Sequence, residues 1–121
     1  MVYGDIMAAV DSLSNYMKVM FPDGRIAYVE HKDGRPYGEW RASRQPQPAN
    51  LVQTACKLMG IPYLWGGTSF KGVDCSGFTK TVYFMNGLVL PRDASQQFLL
   101  GQEIDTAASF AKLQPGDLLF F

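Results

Sequence analysis

The first third of the chain alternates short apolar runs with polar turns; the remainder follows a helical period. Tyr16–Met20 and Arg25–Val29 are rich in β-branched, aromatic and long apolar side chains. Between them, Phe21-Pro22-Asp23-Gly24 has the chemistry of a tight turn: Pro22 presets φ and Gly24 tolerates a positive one. The pattern predicts a hairpin, with a further strand within Tyr3–Val10 and a second turn at Asp33-Gly34-Arg35-Pro36. Residues 42–49 place two prolines among small and polar residues and read as an exposed connector.

Past residue 50 the period changes. Leu51, Val52, Ala55, Cys56, Leu58 and Met59 recur at helical spacing, with Asn50 placed to cap the start and Gly60 the end. A glycine-rich irregular stretch covers Ile61–Gly72. A second helix is expected from Cys75 to Asn86, with Phe78, Val82 and Met85 on one face and Asn86-Gly87 ending it. A third, shorter helix is expected from Ala94 to Gly101. Pro115-Gly116-Asp117 then turns the chain into Leu118-Leu119-Phe120-Phe121, which reads as a buried strand. A strand that stops at a chain end leaves its ladder unpaired. The sequence therefore reads as part of a longer polypeptide, and that edge is expected to invite self-association. The fold class is α+β: a small β domain at residues 1–41, a linker at 42–47 and a second domain at 48–121. A sheet of about three short strands has little core with which to stand alone.

Composition narrows the function. Hydrophobic residues are 47% and charged residues 18%, the balance of a globular protein. Eleven basic residues against 11 acidic ones leave no excess with which to displace counterions from nucleic acid or to hold an anionic membrane. No apolar run approaches the roughly 20 residues of a membrane span. Met1-Val2-Tyr3-Gly4-Asp5 has no basic stretch leading into an apolar one, so no signal peptide is visible. Two cysteines and one histidine do not make a four-ligand zinc site, and no cofactor is implied. A Cys56–Cys75 disulfide is one alternative. The helical reading instead turns Cys56 to the core and Cys75 to a cleft.

The chemistry is concentrated in Gly72-Val73-Asp74-Cys75-Ser76-Gly77-Phe78. Here a glycine-rich loop gives way to a helix, so Cys75 meets unpaired amides and the positive end of the helix dipole. Such a position favours negative charge on sulfur, and the first-turn amides could hold an oxyanion. Ser76 and Gly77 leave room for a substrate backbone. The plain alternative is a structural cysteine.

Three separated blocks sharpen the choice: Tyr63–Phe78 (YLWGGTSFKGVDCSGF), Leu90–Gln97 (LPRDASQQ) and Leu113–Phe121 (LQPGDLLFF). In this order they closely resemble the NlpC-type cell-wall endopeptidase family of papain-like cysteine peptidases, over residues 48–121. Residues 3–31, with Tyr3-Gly4-Asp5 and Pro22-Asp23-Gly24-Arg25, resemble the end of a bacterial SH3-like domain. The resemblance implies the N-terminal helical half of a papain-like domain and a protein that hydrolyses peptidoglycan stem peptides or muropeptides, typically between γ-D-glutamate and a diamino acid. It makes Cys75 the nucleophile and sets Tyr63 across the cleft, near the oxyanion or the substrate backbone. Asp74 and Ser76 match positions that hold the free amino end of the substrate. Arg92, Asp93, Ser95 and Gln96 match the loop closing one side of the site, with Ser95 as a substrate contact. Export to the periplasm or cell surface is implied as well.

Each residue has a plainer reading. Tyr63 and Trp65 could fill core, Asp74 could only cap the helix, and Arg92 with Asp93 could be a solvated ion pair. Gly66, Gly67 and Gly72 are expected to be conformational. The family's catalytic histidine and its orienting residue follow the last matched block. His31, the sole histidine, lies far upstream and reads as an ordinary surface imidazole. A thiol without its base loses most of its activation. The expectation is therefore divided: a peptidase as a whole protein, an inactive 121-residue chain. Two rivals stand beside it, a wall-peptide-binding module without catalysis and an amidase or acyltransferase on the same fold.

Overall fold

A computed structural model describes residues 1–106 and 109–121. Met1 with Tyr3–Ser43 forms one compact unit, and Val2 with Arg44–Phe121 forms another.

The first unit is a three-stranded antiparallel meander of β1 (Ala8–Ser12), β2 (Tyr16–Met20) and β3 (Ile26–Glu30). The hairpin expected between the last two is present. Gly24 N donates to Phe21 O at 2.9 Å and Phe21 N to Arg25 O at 2.8 Å, which closes the turn and sets Met20 opposite Ile26. Period-2 alternation turns Met17, Val19, Ala27 and Val29 towards the inside, and of these only Val19, at 4% exposure, is buried. The first strand lies later than the expected Tyr3–Val10. Its register is fixed by pairing Ala8 with Met20 and Ser12 with Met17, across an irregularity at Val10. A single 3-10 turn, His31–Asp33, follows β3. Helix α1 (Tyr37–Ala42) occupies a stretch for which no helix was expected; Tyr37 stacks on Trp40 three residues later, with ring centroids 5.8 Å apart.

In the second unit, α2 (Pro48–Lys57) packs against α3 (Cys75–Met85). The connector is shorter than its prolines suggested, because Pro48 begins the helix. A first-turn position needs no N–H, and the fixed φ is already helical. Gln47 is therefore the N-cap residue, and Asn50 donates its side-chain amide to Gln45 O at 3.0 Å. Leu51, Leu58 and Val82 form the core, with Ala55, Ile61, Phe70, Phe78 and Tyr83 packed around them. Helical spacing was right for α2, but the apolar face is narrower than expected. Val52, Cys56 and Met59 are exposed, so Cys56 does not face the core.

Two short paired strands, β4 (Thr68–Ser69) and β5 (Gly72–Val73), lead into α3. Asn86 follows α3 and is buried; its amide donates to Val82 O at 2.8 Å and Thr54 Oγ1 at 3.0 Å, tying α3 to α2. Helix α4 is only Ala94–Gln97, not Ala94–Gly101. Beyond Gln97, Phe98, Leu99 and Leu100 are exposed and have no buried face to extend the helix. The expected buried strand at the end is also absent. Leu118–Phe121 is irregular, and Leu119, Phe120 and Phe121 are exposed; without a partner strand among the described residues, an apolar run cannot form a ladder. Phe120 instead meets Phe98 edge to face at 5.5 Å. Among the described residues, no helix is long and apolar enough to cross a membrane.

Candidate active site

Cys75 is the first residue of α3, and Asp74 is its N-cap. The Asp74 side chain is taken up on both oxygens. Oδ1 accepts from Gly77 N at 2.7 Å and from the Ser76 hydroxyl at 3.4 Å. Oδ2 accepts from Gly66 N at 2.9 Å and from Arg92 Nη2. One carboxylate thus closes the helix start, anchors the glycine loop and pairs with a cation. The Arg92 guanidinium, followed by the two amides, outweighs the cost of burial and holds the Asp74 carboxyl down at about 2.

Arg92 also donates from Nη1 to Ser76 Oγ at 2.8 Å, and its own pKa is raised, chiefly by the bond to Asp74. The solvated Arg92–Asp93 pair considered from sequence is replaced by this Arg92–Asp74 pair, with the aspartate side chain 9% exposed. Ser76 is buried, and its carbonyl accepts from Gln97 Nε2 at 3.0 Å. The same amide reaches Pro91 O at 3.0 Å, so Gln97 fastens the Pro91–Asp93 segment to the first turn of α3.

The glycine loop is seated by sterics as well as by hydrogen bonds. Asp74 N donates to Gly67 O at 3.2 Å, and Gly67 N to Leu64 O at 2.8 Å. A Cβ on Gly77 would lie 2.0 Å from Gly67 O, so only glycine allows loop and helix to approach this closely. Gly66 has φ +78°, the left-handed region where glycine carries no side-chain penalty.

Around this frame, Cys75 is exposed and free, as is Cys56, so no disulfide joins them. Tyr63 bridges to Val73, which places it beside the strand leading to Cys75; Tyr63 is 65% exposed. Trp65 is 86% exposed and fills no core. Ser95 and Gln96 lie exposed on α4, while Gln97 is buried. The structure therefore gathers Asp74, Cys75 and Ser76 with Arg92, sets Tyr63 one strand away and carries Ser95 on the adjoining short helix. His31 belongs to the first unit, where its Nε2 bonds to Leu13 O at 2.9 Å. Sequence reading missed Gln97 and the partner of Arg92. The available signal was the run of two glutamines, Gln96-Gln97, of which only one could face inwards.

A solvent-facing thiol on the first turn of a capped helix is the type of site that nucleophilic thiol chemistry uses. Residues 60–121 match the NlpC/P60 family, and the chain belongs to that family. It is 38% identical over 104 residues to a gamma-D-glutamyl-L-lysine dipeptidyl-peptidase of Bacillus cereus, covering 86% of this chain and 30% of that protein. It is 36% identical over 126 residues to dipeptidyl-peptidase 6 of Lysinibacillus sphaericus, covering all of this chain and 45% of that protein. A crystal structure of an NlpC/P60 family protein from Bacillus cereus superposes with a TM-score of 0.67 at 33% identity, over 82% of this chain and 32% of the other. The chain thus spans less than half the length of these relatives.

Proposed function

We propose that this chain carries the nucleophile-bearing part of a peptidoglycan stem-peptide hydrolase, cutting between γ-D-glutamate and an L-diamino acid. The observation that supports it best is the exposed Cys75 on the first turn of α3, held by its neighbours Asp74 and Ser76, in a family whose similar members are named gamma-D-glutamyl-L-lysine dipeptidyl-peptidase. In this reading Cys75 attacks the γ-amide carbonyl, and the first-turn amides receive the oxyanion. Tyr63 lines the opposite wall. Asp74 and Ser76, buried and bonded to Arg92, back the wall at the free amino end of the substrate, and Ser95 contacts it from α4. The first unit is the end of an SH3-like domain, residues 42–47 are the linker, and the protein works outside the cytoplasm on wall material. The chain's sole histidine is bonded within the first unit, and the second unit contains none. The 121-residue chain by itself therefore supports thiol chemistry but not turnover.

A pair of dipeptide probes tests the substrate class. Each carries a thiol-reactive electrophile in place of the scissile amide, one on the γ-carboxyl of D-glutamate and one on the α-carboxyl. The γ probe is expected to label Cys75 at least about tenfold faster, the discrimination that about 1.4 kcal/mol of extra binding gives. Equal labelling would refute the γ-glutamyl assignment. Hydrolysis of a γ-glutamyl-diamino-acid peptide by the 121-residue chain, lost in Cys75→Ala, would refute its inactivity.

A further inference from the structure

The first unit carries a groove that thiol chemistry at Cys75 does not use. Ser14, Asn15, Tyr16, Glu30, His31 and Lys32 line an open cavity of about 310 Å³, at the lower end of the sizes that small ligands occupy. Its walls are tied together. Leu13 N donates to Tyr16 O at 2.8 Å, which closes the turn between β1 and β2, and His31 N donates to Asn15 O at 3.2 Å. His31 Nε2 donates to Leu13 O at 2.9 Å, so backbone and ring both fasten this turn to the residues that follow β3. A groove held in this way loses little freedom when it is filled.

The lining selects the ligand. Tyr16 pairs with Glu30 and Lys18 with Tyr28, so the two tyrosines stand diagonally on one face of the sheet, opposite the Val19 side, and both are exposed. The Glu30 carboxylate and the Lys32 ammonium meet at 2.7 Å, so their charges offset one another. Ser14 and Asn15 add a hydroxyl and a carboxamide to the rim. Aromatic surface beside offset charges and neutral hydrogen-bonding groups suits an uncharged sugar. The C–H face of the sugar ring leaves water against the tyrosine, and its hydroxyls find partners along the rim. A charged ligand would have to part the ion pair. Two aromatic platforms favour a chain of sugars over a single one. We propose that the groove and the Tyr16–Tyr28 face bind a neutral oligosaccharide, with Tyr16 as the ring on which a sugar stacks. The proposal rests on nothing at Cys75.

The test titrates the intact 121-residue chain with chitotetraose, a neutral oligosaccharide that carries no peptide, and follows the backbone amide shifts. The largest shifts are expected at residues 14–16 and 30–32, with a Kd on the order of 1 mM, as suits an open groove. Tyr16→Ala is expected to weaken binding at least about tenfold, and Tyr16→Phe, which keeps the ring, to stay within about threefold. A tenfold rise in salt should leave the affinity within about twofold, because no ion is bound. The proposal is overturned if no saturable shift appears, if the largest shifts fall in the second unit, or if Tyr16→Ala binds as before. It is equally overturned if heparin fragments, tested as an anionic chain, bind these residues in preference to chitotetraose and are released by salt. Should Tyr16→Ala fail to fold, the location of the shifts in the unaltered chain and their salt dependence decide. The γ-glutamyl reading of Cys75 is tested by different probes, so either can fail without the other.

Discussion

The two compact units hold themselves together by different means. The first rests on strand register, with Val19 as its one buried apolar residue. Among the described residues, the second buries Leu51, Leu58, Val73, Val82 and Met85 together with five polar residues: Asp74, Ser76, Thr81, Asn86 and Gln97. Buried polar groups stabilise only when their partners are in place. Three of the five, Asp74, Ser76 and Gln97, belong to the network around Cys75. The second unit has thus committed three of these five positions to the surroundings of one exposed thiol, whereas the first has committed almost none.

The largest effect should separate the units. Gly77→Ala drives a methyl into Gly67 O and is expected to destabilise the second unit by about 3 kcal/mol, the upper end for overpacking a tight contact. Val19→Ala removes about two buried methylenes' worth of apolar surface and should destabilise the first unit by about 1.5 kcal/mol. Residue-resolved amide exchange in denaturant checks both. The contrast fails if Gly77→Ala costs less than Val19→Ala.

Acid should act more gently. The Asp74 carboxyl is held at about 2, below its ordinary 3.8. A lowered native pKa contributes stability that is fully present above the unfolded value and lost as pH falls towards the folded one. Stability of the second unit should therefore decline between about pH 4 and about pH 2, and Asp74→Asn should flatten that decline. An unchanged slope in the variant would separate the carboxylate from the stability of the site.

Much of this was legible in the sequence, and the reasons differ by element. The Phe21–Gly24 turn and helix α3 are specified locally, by turn chemistry and by an aspartate in the cap position, so they lie where the residues indicate. The position of Cys75 at a helix start was legible for the same reason. The Arg92–Asp74 pair was not, since 17 residues separate them and nothing local chooses Asp74 over Asp93. Helix α1 escaped because Gly38 lies within it and Pro36 stands just before it, both of which suggest a turn. Leu118–Phe121 has the composition of a strand, but a strand needs a partner as well as a pattern.

Both cysteines face solvent, which makes their relative reactivity the most direct measure of whether the surroundings of Cys75 create a nucleophile. Limiting iodoacetamide at about pH 7, followed by peptide mass spectrometry, should find Cys75 modified at least about tenfold faster than Cys56. Equal rates, or a faster Cys56, would contradict the account.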